Sequence, residues 1–272
     1  MDEYLQTVRL GDATVTLINI GYFRDPNVSP EEGAKNPSAG LPSYCGLIEL
    51  PDAVILVDAG HYDLSPDSPF YIPRYQPPPG LIARLADRGI RTDQVTQVII
   101  THIHWDHIDG LTVECDGAYQ PAFPNARYYL GQADWDNPDT QAELQKPESL
   151  VSHTLGVLHR AGLLELVSGD LKLSDNITIV AAPGESPGHQ IVKLASQGQV
   201  MYILGDLYHD TESFAQPDHM DWWANRENML ASRAALVKAA LAENALLTVA
   251  HIGTVGRLQS ADTASGARWV TA

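Results

Sequence analysis

The chain is laid out as short apolar runs separated by turns rich in glycine, proline, asparagine and aspartate. "QTVRLGDATVTLIN" mixes apolar and polar positions on both sides of Gly11-Asp12, which predicts two short strands around a turn. "YCGLIELPDAVILVDAG" repeats the pattern with Pro51-Asp52 as the turn. "LIARLADRG" carries apolar residues at helical spacing and ends on Gly89, which predicts a helix closed by a glycine. "QVTQVII" predicts a buried strand ending at Thr101.

The second half is similar in style. "ESLVSHTLGVLHRAG" predicts a helix closed by Gly162, and "NRENMLASRAALVKAALAEN" predicts a long amphipathic one. "NITIVAAPG", "HQIVKLAS" and "QVMYILGD" predict short strands joined by tight turns, and "ALLTVAH" a last strand ending at His251. Residues 24–44 and 61–80 predict two long loops, a length usually tied to function or disorder. No repeat, linker or low-complexity segment divides the chain, so residues 1–272 are read as one domain with sheets covered by helices.

Composition narrows the class. With 44% hydrophobic and 19% charged residues, the 272-residue chain reads as soluble and globular. The start "MDEYLQTVRL" has neither a basic segment nor an apolar run, and no stretch is apolar enough to span a bilayer. The expected location is the cytoplasm, with no membrane partner. A formal net charge of −17 repels phosphate backbones and argues against nucleic acid. Cys45 and Cys115 allow at most one bridge and are read as reduced and structural.

The chemistry concentrates in "THIHWDHIDG", residues 101–110, where three of the ten histidines fall within six positions. His102 and His104 are two apart in expected extended backbone, so both imidazoles lie on one side. Asp106 and His107 follow where the chain turns into a helix. Histidine nitrogen and carboxylate oxygen suit zinc, manganese, iron or cobalt. Four such groups exceed what one ion with an open position needs, and further candidates stand at other strand ends: His189 after "PGESPG", Asp206 after "YILG" and His251 after "LLTVA".

H-x-H-x-D-H, then "PGESPGH", "GD" and a strand-end histidine, in order from about Asp58 to His251, resembles the metallo-β-lactamase superfamily. The resemblance implies an α+β fold, an αββα sandwich of two mixed sheets flanked by helices. It implies two divalent ions, zinc first, with manganese, iron or cobalt as alternatives. His102, His104 and His189 would hold one, Asp106, His107 and His251 the other, and Asp206 would bridge them. Asp106 doubles as a catalytic carboxylate, and Asp58 is expected behind the ligands. The implied reaction is metal-assisted hydrolysis without a protein nucleophile.

Within the superfamily, the size, Trp105 inside the motif and "GDLYHD" resemble the branch of N-acyl homoserine lactonases and methyl parathion hydrolase. The expected substrate is a lactone or related small ester, as in quorum-quenching enzymes. A phosphotriester or arylester hydrolase and a non-catalytic member of the fold are the alternatives. The lactonases usually carry a tyrosine three residues after the bridging aspartate. Here Tyr208 stands two after Asp206 and His209 three after, so either is a candidate to assist the leaving group. Tyr22, Phe23, Tyr71, Tyr75, Trp222 and Trp223 are expected to line an apolar pocket or pack the loops. The sequence is compatible with a homodimer.

Overall fold

The computed structural model describes residues 5–24, 28–36, 40–61 and 64–272. Each half of the chain builds one seven-stranded sheet. The first has the order β1 (Leu5–Leu10), β2 (Ala13–Phe23), β3 (Leu41–Leu50), β4 (Ala53–Val57), β5 (Gln97–Ile99), β8 (Arg127–Gly131) and β9 (Leu164–Val167). Between β5 and β8 in the chain, β6 (Thr112–Cys115) and β7 (Ala118–Pro121) form a separate hairpin. The second sheet runs in chain order through β10 (Leu171–Lys172), β11 (Ile177–Ala181), β12 (Gln190–Ser196), β13 (Gln199–Ile203), β14 (Leu246–Val249), β15 (Ile252–Ser260) and β16 (Ala267–Thr271). Both are mixed. β4, β5, β8 and β9 are parallel in the first sheet, and β13 and β14 in the second.

The helices are α1 (Pro30–Lys35), α2 (Leu81–Asp87), α3 (Trp105–Ile108), α4 (Gln132–Trp135), α5 (Pro138–Leu144), α6 (Leu150–His153), α7 (Leu155–Arg160) and α8 (Arg226–Glu243). Among the described residues, none is long and apolar enough to cross a membrane.

Three hydrophobic cores define four layers. One packs the first sheet on α2 and α7, with Leu85 and Leu158 facing Val98 and Tyr128. One lies between the sheets, where Val15, Ile55 and Ile99 meet Val192, Met201 and Leu246. The third packs Tyr202, Leu247 and Val249 on Met229, Leu236 and Ala240 of α8. The central strands feed two cores at once. On β5, Val98 and Ile99 belong to different cores, as do Met201 and Tyr202 on β13. This explains why they read as continuous apolar runs rather than alternating ones. Burying each such side chain is worth about 1.5–3 kcal/mol, so the sandwich holds its strand ends firmly.

Those ends form the site. The parallel pairs stop level with one another, Val57 beside Ile99 and Ile203 beside Thr248. The two sheets are stitched there: Gln190 donates from its amide N–H to Thr101 O at 2.9 Å and from Nε2 to Ile100 O at 2.8 Å, and Tyr44 N–H donates to Ala250 O at 2.9 Å.

The structure departs from the expected elements in places. Residues 24–44 are not one loop: Ser29 caps α1 through its Oγ, and β3 already begins at Leu41. The expected helix over residues 148–162 breaks into α6 and α7 at Thr154, whose φ of −100° and ψ of −85° leave the helical region. Its hydroxyl donates back to Leu150 O at 2.7 Å, the local competition that bends helices at threonine. Parts of the two long loops, residues 25–27, 37–39 and 62–63, lie outside the described residues. Both cysteines are free. Cys45 is buried on β3 and burial pushes its thiol up to about 12, whereas Cys115 is exposed on the β6–β7 hairpin.

Candidate metal centre

The end of β5 delivers the first ligands. Asp58, at the end of β4, accepts from the backbone N–H of Thr101 at 2.7 Å and from its hydroxyl at 2.9 Å. The same carboxylate accepts Nδ1–H of His107 at 2.8 Å, so His107 presents Nε2 to the site. Residues 101–104 lie outside regular secondary structure, and His104, with extended backbone, leads into α3, which carries Asp106 and His107. The rings of His102 and His107 lie 4.1 Å apart between centroids, and those of His102 and His104 4.4 Å.

The second sheet closes the arrangement from the other side. His189 stands in the turn between β11 and β12 and donates Nδ1–H to Ala182 O at 3.0 Å. His251, in the turn after β14, donates Nδ1–H to Pro42 O at 2.7 Å. Three histidines therefore have Nδ1 fixed by an acceptor. Nε2 of His107 and of His251 faces the centre, an arrangement that sets tautomer and ring orientation for metal binding. Nε2 of His189 instead accepts from the Asp206 backbone, and among the described residues His189 falls outside the groups of ligand atoms close enough to share an ion.

Asp206 lies at the middle. Its carboxylate is 3.3 Å from His107 Nε2, 3.1 Å from His251 Nε2, 3.2 Å from His209 Nε2 and 3.7 Å from His102 Nε2. Its backbone N–H donates to His189 Nε2 at 3.2 Å. Asp106 is 3.5 Å from His107 Nε2 and 3.6 Å from His251 Nε2, and accepts from the Ser43 hydroxyl at 3.3 Å. The structure thus brings together His102, His104, Asp106, His107, His189, Asp206, His209 and His251.

It does not bring Tyr208 there. That side chain is buried, stacks on Phe214 at 3.8 Å and lies beneath the Arg233 guanidinium, 4.5 Å from its ring centre. His209 faces the site instead. Its Nδ1–H donates to Asp221 at 2.7 Å while Nε2 meets Asp206, so both ring nitrogens face carboxylates.

The electrostatics follow from burial and these partners. Burial drives His102 well below its usual range, lowers His104, and takes His189 down to about 4, leaving neutral imidazoles. Burial opposes charge on His107, His209 and His251 too, but nearby carboxylates, Asp206 above all, outweigh it and raise all three. Asp206 is itself held well below the carboxylate range, because His251, His107 and His102 overcome the cost of burying its charge.

The donor set fits a divalent cation. His102 Nε2, His107 Nε2 and Asp206 Oδ1 are buried without a hydrogen-bond partner, a costly state for polar atoms that a cation would relieve. Asp106, His107 and His251 converge closely enough to share one ion, and a separate group joins His102, His104 and Asp206 with Glu185. Glu185 lies within "PGESPGH", which the sequence reading treated only as the path to His189. Asp221 had no sequence signal at all.

A family model described as the metallo-beta-lactamase superfamily matches residues 39–240. The chain belongs to the metallo-beta-lactamase superfamily. Among superfamily relatives, the N-acyl homoserine lactonase of Bacillus cereus is 23% identical over 186 residues, 64% of this chain and 67% of that one. A hydrolase of the beta-lactamase superfamily, AbOPH, superposes with a TM-score of 0.73 at 18% identity, covering 98% of this chain and 97% of its own. The dizinc quorum-quenching lactonase AidC superposes with a TM-score of 0.71 at 18% identity, covering 100% and 99%. The αββα sandwich expected from the motifs is the fold observed. This superfamily member is a metal-dependent hydrolase whose histidines and aspartates can hold divalent ions.

Proposed function

We propose that the protein is a dinuclear metallohydrolase, with zinc as the first choice of metal, that opens a lactone bearing an apolar substituent. The observation that carries the dinuclear part is the position of Asp206, whose carboxylate is shared between the two groups of ligands: Oδ1 lies 3.3 Å from His107 Nε2, and Oδ2 lies 3.1 Å from His251 Nε2 and 3.7 Å from His102 Nε2. The lactone part is supported by the lactonases among the relatives and by Trp222 and Trp223, which are exposed near the site, the Trp223 ring 6.2 Å from that of His104.

A pair of divalent ions supplies Lewis acidity and lowers the pKa of water, so that a nucleophile exists near neutral pH. The rest falls to the side chains. Water adds to the lactone carbonyl carbon, the ring C–O bond breaks, and the departing oxygen takes a proton to give the hydroxy acid. Asp106 is the carboxylate set to accept the proton that water sheds. His209 is the donor for the leaving oxygen: Asp221 holds its Nδ1–H, leaving Nε2–H directed into the site.

A phosphotriester or arylester reading keeps the same centre. It is favoured by His209 standing three residues after Asp206, where the lactonases usually carry tyrosine. The deciding experiment loads the chelator-stripped protein with zinc, manganese or cobalt, counts ions per chain, and compares kcat/KM across lactones, arylesters and phosphotriesters. Close to two ions and a preferred lactone are expected. Uptake of one ion or fewer overturns the dinuclear centre. A best lactone more than about a hundredfold below a triester, roughly 2.7 kcal/mol of transition-state preference, overturns the lactone assignment.

A further inference from the structure

We propose that Glu185 is an additional metal ligand, completing the His102, His104 and Asp206 side of the centre with a carboxylate. The inference rests on the dinuclear reading and adds a residue to it.

The loop that carries Glu185 is pinned on both flanks. Gly184 has a φ of +152°, and a Cβ there would come within 2.6 Å of Met229 Cα on α8, so the backbone is pressed against that helix. Asn225 N–H donates to Gly184 O at 2.8 Å, and the Ser232 hydroxyl donates to Pro183 O at 2.7 Å. On the other flank Asp134 accepts from the Ser186 hydroxyl and from Gly188 N–H, both at 2.7 Å. The loop is therefore rigid where it aims Glu185 inward, and the side chain is fully shielded from solvent.

One carboxylate oxygen is engaged. Oε1 accepts Trp223 Nε1–H at 2.6 Å and lies 3.4 Å from His104 Nδ1 and 3.9 Å from His209 Nε2. The other, Oε2, is buried with no partner, as are the site atoms of His102, His107 and Asp206. A buried carboxylate without full partners is expensive, and a cation would supply the missing one. One atom each of His102, His104, Glu185 and Asp206 lies within 4.8 Å of the others, close enough to share an ion. An extra carboxylate makes this side harder, which raises its relative affinity for manganese over a site with more imidazole. The Trp223 bond to Oε1 adds a reporter, because an ion drawn to this carboxylate alters the indole's hydrogen bond.

The test uses the full chain stripped by chelator and titrated with zinc or manganese. Ion content and competition with a chromophoric chelator are measured for wild type, Glu185→Gln and Trp223→Phe, with melting curves as the folding control. Wild type should take up two ions. Glu185→Gln should bind one of them at least tenfold more weakly and keep the other, with the larger loss for manganese. The wild-type fluorescence change on metal addition, minus that of Trp223→Phe, should be clearly non-zero. If wild type takes up two ions and Glu185→Gln binds both with unchanged affinity, Glu185 is no ligand and the dinuclear reading stands. If wild type takes up one ion or none, the dinuclear reading itself fails. Should Glu185→Gln not fold, the fluorescence difference decides, and its absence overturns the assignment.

Discussion

The floor of the centre and the segment over it are held by different means. On the floor, His189 and His251 are oriented by backbone carbonyls, and His107 by the buried Asp58 at the end of β4. The covering segment, residues 209–224, is held largely by side chains. Asp221 fixes His209, Glu185 fixes Trp223, and Arg233 reaches from α8 to Leu207 O, Pro217 O and His219 O. Floor geometry thus follows from the sandwich itself. Cover geometry follows from a few side chains that can change without disturbing the sandwich. The first suits a shared hydrolytic reaction and the second suits substrate choice.

The largest effect should come from breaking the floor at its centre. Asp206→Ala removes the carboxylate that faces both ion groups. It should cost more than the ~10–100-fold typical of losing a partner behind a ligand, in both metal affinity and kcat/KM. Ion content should fall at both positions, whereas His251→Ala should mainly weaken one. Loss of a single ion with Asp206→Ala would show that the two halves of the floor are independent.

Asp58→Asn tests the same floor one step back. The amide cannot replace a carboxylate that accepts from both Thr101 and His107, so the His107 ring loses its fixed tautomer. A fall of ~10–100-fold in affinity for one ion is expected from chelator competition, with the other retained. Equal affinities in the variant would mean that the strand-end backbone, not Asp58, positions His107.

The floor was legible in the sequence and the cover was not, for the same reason. Strand ends announce themselves: an apolar run terminating in a lone His or Asp marks Asp206 and His251, and H-x-H-x-D-H marks the end of β5. Which way a residue in an irregular turn points is set by distant packing. In "GDLYHD" the sequence offered Tyr208 and His209 equally. Phe214, six residues on, and Arg233 of α8, much farther along the chain, draw Tyr208 into the third core and leave His209 facing Asp206. The same holds for the aromatics. Phe23 is buried against Trp105 at 4.6 Å, while Trp222 stands exposed. Thr154 was read as one more helical residue because the break depends on its hydroxyl returning to Leu150.

On the cover, Asp221→Asn should leave both ions in place. It weakens the hold on His209 Nδ1–H without removing the imidazole, so kcat for lactones should fall by about tenfold, less than the ~10²–10⁴-fold that a general acid contributes. Arylesters with good leaving groups need little protonation and should lose much less. An equal loss on both substrate types would place Asp221 in substrate binding or folding rather than behind the leaving group.

The smallest effect should come from Trp222→Ala, and it is the sharpest test of the cover's role. At 91% exposure the indole contributes little to folding, so the melting temperature should stay within the narrow range of an ordinary surface change. Ion content should not move either, since Trp222 touches the neighbouring Trp223 at 5.7 Å between centroids and no ligand. If a substrate's apolar chain lies on this indole and buries about 60 Å² between them, the interaction is worth about 1.5 kcal/mol, or about tenfold in kcat/KM. The loss should be confined to lactones with long acyl chains and be absent for a short one that cannot reach. A variant equally active on both chain lengths would remove Trp222 from the pocket and leave Trp223 as the aromatic that meets substrate.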